Sequence, residues 1–184
     1  MTLAEVMMAL GVMAVLLLAA VPSLRAYKRS AELTATANSL LASINTVRGE
    51  AMKRRMDVLL VPAGGGSAWR AGWFAFADPA GKRAHDGSAS TLVLSSAALP
   101  PYISLTGNGI AAGATPYLLF NASGYPKTKA GAFGAVTFTL ARMDGSASSP
   151  PEQTRKVIIS STGRVRACRP ADSKDMDCSD SGGF

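Results

Sequence analysis

Histidine and cysteine are scarce in this chain of 184 residues: one His, at position 85, and two Cys, at 168 and 178. A His-rich metal site or a set of histidine acid–base pairs is therefore excluded. Charge is thin as well, with Asp, Glu, Lys and Arg supplying 17% of residues against a usual ~25%. Hydrophobic residues reach 48%, which rules out a disordered chain and calls for a large core or a membrane segment. No Gly-x-Ser-x-Gly elbow occurs. The run Gly107-Asn108-Gly109-Ile110-Ala111-Ala112-Gly113 misses the dinucleotide fingerprint, because its third glycine falls one residue late. His85 sits in the turn-like Arg83-Ala84-His85-Asp86-Gly87 and reads as a solvated loop residue rather than a base. Asp172, Asp175, Asp177 and Asp180 lack the central Gly and terminal Glu of a Ca²⁺ loop and read as a solvated acidic loop. No catalytic residue, metal site or cofactor is expected. A membrane-anchored hydrolase, the enzymatic alternative, has no constellation to run on.

What is present is a basic chain with its charges sorted. The net charge is +7, which suits an anionic partner, nucleic acid or lipid headgroups, without choosing between them. Residues 1–24 hold one ionisable side chain, Glu5, whereas residues 25–56 hold seven basic groups against Glu32 and Glu50. Val6 to Leu24 is an uncharged stretch of 19 residues, long enough as a helix to cross roughly 30 Å of hydrocarbon. Pro22 removes one backbone donor from it, which a membrane helix tolerates. Beyond the span, Leu33, Ala37, Leu40, Ile44, Val47 and Ala51 follow a 4-3-4-3-4 spacing and predict one apolar stripe on the same helix. Residues 1–28 thus read as a transmembrane helix and 29–55 as its amphipathic continuation, the first part of a domain over 29–184.

Orientation is a puzzle on its face. The basic flank lies C-terminal to the span, which by the positive-inside rule would hold that side in the cytoplasm. Cys168 and Cys178, in a short polar tail, suit a disulfide in an oxidising compartment instead. Both fit if a basic leader once preceded Met1, so the chain is expected to begin at or near a processed N-terminus. Glu5 is the other anomaly, because a carboxylate heading an apolar span is costly away from an interface. It reads either as an interfacial residue facing headgroups or as a charge that pairs with another subunit's terminal amine.

Met1-Thr2-Leu3-Ala4-Glu5 followed by an apolar span resembles the processed N-terminus of type IV pilins and type II secretion pseudopilins. Family members usually begin with Phe where Met1 stands. The resemblance implies cleavage by a prepilin peptidase and methylation at Met1. It also implies an assembly role for Glu5, and partnership with other pilins and pseudopilins at the bacterial inner membrane, the C-terminal domain being periplasmic until it enters a fibre.

After Arg54 the periodicity shortens. Strands are expected over Asp57–Val61, Trp69–Phe76, Thr91–Ser95, Tyr102–Leu105, Tyr117–Phe120, Val136–Ala141, Val157–Ser160 and Arg164–Ala167, separated by Gly-, Pro- and Ser-rich breaks. No helices alternate with them, so the fold class is α+β, antiparallel sheets packed on one long N-terminal helix. Four segments narrow the resemblance to the GspH/FimT group. Val47–Arg54 looks like that group's helix end, and Trp69–Asp78 like its WxxGWxxFxD strand. Phe120–Gly124 looks like its FxxxG turn, and Ser161–Cys168 like its TGRxRxC ending. Trp69, Trp73 and Phe76 read as core, with base stacking by an exposed Trp as the alternative.

Cys168 and Cys178 would close a loop of about ten residues and restrain the unfolded chain by roughly 3 kcal/mol; two free buried thiols are the alternative. Gly163-Arg164-Val165-Arg166 is the one site with a functional physical reading. On a strand, residues i and i+2 share a face about 6.7 Å apart, which would send both guanidiniums to solvent and Val165 and Ala167 to the core. Paired planar forks suit phosphate oxygens. Arg155, Lys156 and Arg169 would extend the patch, while pairing with Asp172–Asp180, with a neighbouring subunit or with water are the bland readings. Some minor pilins of this group use a GRxR element to bind DNA during natural transformation. The resemblance carries that to Arg164 and Arg166, with double-stranded DNA as partner, whereas related pseudopilins cap secretion fibres.

Overall fold

The computed structural model describes residues 2–66, 68–85, 87, 91–143, 150–172, 175 and 178, apart from the side chains of residues 17–23. The chain divides into two compact units, residues 1–32 and 33–184. Helix α1 runs from Leu3 to Arg54, 52 residues. The membrane span expected over Val6–Leu24 includes residues 17–23, whose side chains lie outside the described set. Among the described residues no helix is long and apolar enough to cross a membrane.

The helix ends for a local reason. Arg55 takes a left-handed conformation, φ 54°, and the Met56 amide donates back to the Ala51 carbonyl at 3.3 Å. That six-to-one closure is the Schellman pattern with Arg in the place glycine usually takes, and Met56 supplies the apolar contact that goes with it.

Among the described residues nine strands follow, in two antiparallel sheets. The first contains β1 (Val58–Pro62), β2 (Trp73–Ala77), β3 (Leu92–Ser95), β5 (Leu118–Phe120) and β6 (Pro126–Lys127), in the order β3-β2-β1-β5-β6. The second contains β4 (Ile103–Gly107), β7 (Val136–Arg142), β8 (Thr154–Ile159) and β9 (Val165–Cys168), in the order β4-β7-β8-β9.

One core joins these sheets to the helix. Leu33, Ala37, Leu40, Ile44, Val47 and Ala51 are all buried, and they cluster with Val58, Leu60 and Leu118 of the first sheet and Phe138, Leu140, Val157 and Ile159 of the second. The alternation is regular: in β7, Val136, Phe138 and Leu140 face in and Thr137 and Thr139 face out. A smaller cluster of Leu59, Phe76 and Leu119 lies on the far face of the first sheet.

The expected strand over Trp69–Phe76 is broken in two. Trp69–Ala71 form a single 3₁₀ turn, and the strand starts only at Trp73. Gly72 between them has φ 95°, and a side chain there would collide with the Ser96 and Ala97 carbonyls. Both tryptophans are buried; Trp69 Nε1 donates to the Ala111 carbonyl at 2.9 Å and Trp73 Nε1 to Ser43 Oγ at 3.0 Å. Neither is exposed for stacking.

Leu40 sits at the centre of the stripe with no exposure. Leu40→Ala should cost about 2–5 kcal/mol in reversible unfolding of the chain. Asn38→Ala, on the exposed side of the same turn, should stay within about 0.5 kcal/mol. Equal losses at the two positions would show that the stripe is not what the sheets grip.

Candidate functional site

Two regions draw together the residues singled out by the sequence. The first is the start of α1. Thr2 and Glu5 form a reciprocal capping box: the Thr2 amide donates to Glu5 Oε2 at 2.7 Å, Thr2 Oγ1 lies 3.3 Å from the same oxygen, and the Glu5 amide donates to Thr2 Oγ1 at 3.4 Å. Met1 lies outside the described residues. Around this cap the side chains are apolar and uncovered; Leu3, Met7, Met8, Leu10, Val12, Met13, Val15 and Leu16 are between 57% and 81% exposed.

The second region is the β8–β9 turn. Ser160 ties it: the Gly163 amide donates to the Ser160 carbonyl at 2.9 Å, the Ser160 amide to the Arg164 carbonyl at 3.0 Å, and the Arg164 amide to Ser160 Oγ at 3.2 Å. Gly163 has φ 82°, and a Cβ on it would run into the Gly124 carbonyl and the Arg48 guanidinium. Arg48 Nε in turn donates to that same Gly124 carbonyl at 3.0 Å. The helix, the β5–β6 turn and the β8–β9 turn therefore meet at one point, and Arg164 is mounted on it.

Arg164 is exposed, and its guanidinium has no partner among the described residues. It precedes β9 rather than lying within it. Arg166 is half-buried and stands opposite Ile158, on the outer face of the sheet. Val165 packs against the core, but Ala167, on the same face, is exposed, because β9 is the edge strand and the core does not extend under its far end.

Arg155 does not extend an exposed patch. The strand begins at Thr154, three residues earlier than expected, so Arg155 shares the inward parity of Val157 and Ile159 and is buried. Its Nε donates to Thr34 Oγ1 on the helix at 3.2 Å, and its Nη1 donates to the Thr154 carbonyl at 2.8 Å and the Glu152 carbonyl at 3.1 Å. Burial, and then the nearby charge of Arg169, lower the pKa of this guanidinium from its usual value. Lys156 takes the opposite parity, half-buried on the outer face, and Arg169 is exposed.

Cys168 and Cys178 are bridged, with 5.8 Å between their Cα atoms, and Cys178 is buried. Within the loop Asp175 accepts from the Ala171 amide at 2.9 Å and the Cys178 amide at 3.3 Å, so this carboxylate shapes the turn. Asp177 and Asp180 lie outside the described residues. His85 is exposed but rests on the aromatics of β2, 5.3 Å from the Phe74 ring and 5.0 Å from that of Phe76.

Two features went unread in the sequence. Arg48, four residues after Ile44 and three before Ala51, stands at the margin of the buried stripe, and that spacing was the signal for a tied cation. The other is Tyr125 and Phe133, 40% and 60% exposed, whose rings meet edge to face at 5.8 Å with Lys127 Nζ 3.5 Å from the Phe133 centroid.

Known proteins share this fold. The family described as "Type II transport protein GspH" matches residues 36–163. The type IV minor pilin FimU of Pseudomonas aeruginosa shares the fold at 18% identity and a TM-score of 0.57, over 77% of this chain and 94% of that one. A second crystal form of FimU gives 17% and 0.55, over 76% and 98%. The minor pseudopilin EpsH of the Vibrio cholerae type 2 secretion system gives 16% and 0.50, over 77% and 99%. No curated protein matches the sequence.

The turn junction makes a graded prediction. Gly163→Ala adds a side chain both in a left-handed conformation and against a carbonyl, and should cost about 2–4 kcal/mol. Gly131→Ala has a comparable φ of 91° but open space around it, and should cost only about 1 kcal/mol. Thermal unfolding of the two variants side by side checks the difference; equal shifts would mean that Gly163 is not pressed against the β5–β6 turn.

Proposed function

The chain belongs to the GspH family of type II transport proteins, and from that premise we propose that it is a minor pilin or pseudopilin, a non-enzymatic subunit of a fibre assembled at the inner membrane. The observation that carries this reading is the head of α1: a helical surface of large apolar side chains, uncovered on all described sides, with one carboxylate at its start. Surfaces of that kind are stable only against lipid or against other apolar helices. In the proposed role residues 1–28 pass from the bilayer into the fibre core among other pilins, while 29–184 face the periplasm. A prepilin peptidase would generate Met1 as the terminus and leave it open to methylation.

Glu5 then neutralises the terminal amine of an adjacent subunit, since an unpaired charge inside an apolar core is costly. Glu5→Ala should insert in the membrane as the parent does but be lost from sheared fibres by at least tenfold, as measured by immunoblotting. Incorporation at the parental level would remove Glu5 from the assembly step.

A second reading, DNA binding for uptake during transformation, is favoured by one observation: Arg164 is exposed on a turn whose backbone is fixed at three points. Arg166 on β9, Lys156 on β8 and Arg169 just past β9 accompany it. Residues 29–184 carry 17 basic against 11 acidic groups. Only backbone phosphates are a plausible target for so few cations, so binding to double-stranded DNA should be weak and independent of sequence. With the full chain in neutral detergent, Arg164→Ala/Arg166→Ala should flatten the log–log salt dependence by nearly two units, at about 0.9 per lost phosphate contact. A general basic surface predicts instead that Lys53→Ala/Arg55→Ala weakens binding as much. Parental affinity in the double arginine variant would leave the fibre role alone.

A further inference from the structure

Resting on that second reading, we propose that Tyr125 and Phe133, with Lys127, form a stacking platform for the unpaired bases of single-stranded DNA, beside the phosphate-binding Arg164 and Arg166. The platform is built. The Gly134 amide donates to the Pro126 carbonyl at 3.0 Å and the Thr128 amide to the Ala132 carbonyl at 2.8 Å, which closes a hairpin that sets Phe133 opposite Lys127. Phe133 remains 60% exposed even so. An aromatic ring held rigidly in water loses little entropy when a base settles on it, and every base has a face to offer.

The surroundings select an anion. The hairpin itself carries Lys127 and Lys129, and no carboxylate occurs in the sequence from Gly87 to Met143. Lys127 and Lys129 both lie over aromatic faces, the latter 4.9 Å from the Tyr117 centroid. Arg164 is near through the backbone: Tyr125 follows Gly124, Arg164 follows Gly163, and these two glycines are packed too tightly for a Cβ between them. A strand whose phosphates engage Arg164 thus has its bases beside the ring pair. In a duplex those bases are already stacked on one another, so the platform discriminates for single strands.

The test compares the full chain, in neutral detergent, on three ligands: oligothymidylate, an abasic strand of equal length and charge, and a duplex of equal length. Oligothymidylate should bind roughly tenfold more tightly than the abasic strand. Tyr125→Ala/Phe133→Ala should abolish that difference while leaving the abasic affinity unchanged. Phe133→Leu, which keeps the apolar bulk and the fold, should also lose most of it. Arg164→Ala/Arg166→Ala should weaken both strands together. Equal binding of the thymidylate and abasic strands overturns the platform and leaves the phosphate reading standing. No binding to any of the three overturns both. If the aromatic variants bind DNA like the parent but fail to enter fibres, the ring pair is a contact between subunits and the proposal is wrong.

Discussion

The hydrogen bond from Arg48 Nε to the Gly124 carbonyl is the constraint on which the junction of the two turns with the helix depends. With Met52 the Arg48 side chain lines the space that a side chain on Gly124 would need, and with the Gly124 carbonyl the space for one on Gly163, so two turns far apart in sequence are brought to backbone contact against the helix. A half-buried guanidinium suits this task, because its planar fork donates to a carbonyl while its methylenes lie along apolar neighbours. The hydrophobic stripe of α1 could orient the sheets without it. What Arg48 adds is position along the helix, and through Gly163 it fixes where Arg164 emerges.

Much of this was legible in the sequence, and the reasons for the gaps are physical. The 4-3-4-3-4 spacing of Leu33 to Ala51 located the buried face of the helix because period 3.6 has no competing explanation over so many residues. The antiparallel sheets and the bridge between Cys168 and Cys178 are as the sequence suggested. Strand starts were harder. Arg155 was expected to extend the Arg164–Arg166 patch, yet the ladder with β7 begins at Thr154, and a strand admits a long cation on its inner face when the head group reaches polar partners. Gly72 broke a strand that its aromatic neighbours made look continuous, since only the approach of the β3–β4 connection dictates that bend. β6 is two residues long and opens with Pro126, too short for any pattern to register.

The chain also divides its labour by polarity. Among the described residues of 33–184 most large apolar groups are buried in one core, with both tryptophans satisfied by internal acceptors. The head of α1 does the opposite, leaving its large side chains to be covered from outside. The stretch of helix that the sheets cover and the stretch left uncovered thus follow one another along α1.

The capping box at Thr2 and Glu5 has a bearing on how a fibre would grow. In the isolated chain the carboxylate is already occupied by its own backbone, so no orphan charge waits at the end of the helix. Recruitment by a neighbour's amine is then a swap of partners and not the filling of a vacancy. Swaps release little energy by themselves, but they are sensitive to approach. An incoming subunit out of register would leave the carboxylate folded back on Thr2, its default state, and would gain nothing at this position. In the proposed fibre, the bond between the Thr2 amide and Glu5 would have to open before a neighbour's amine could take the carboxylate.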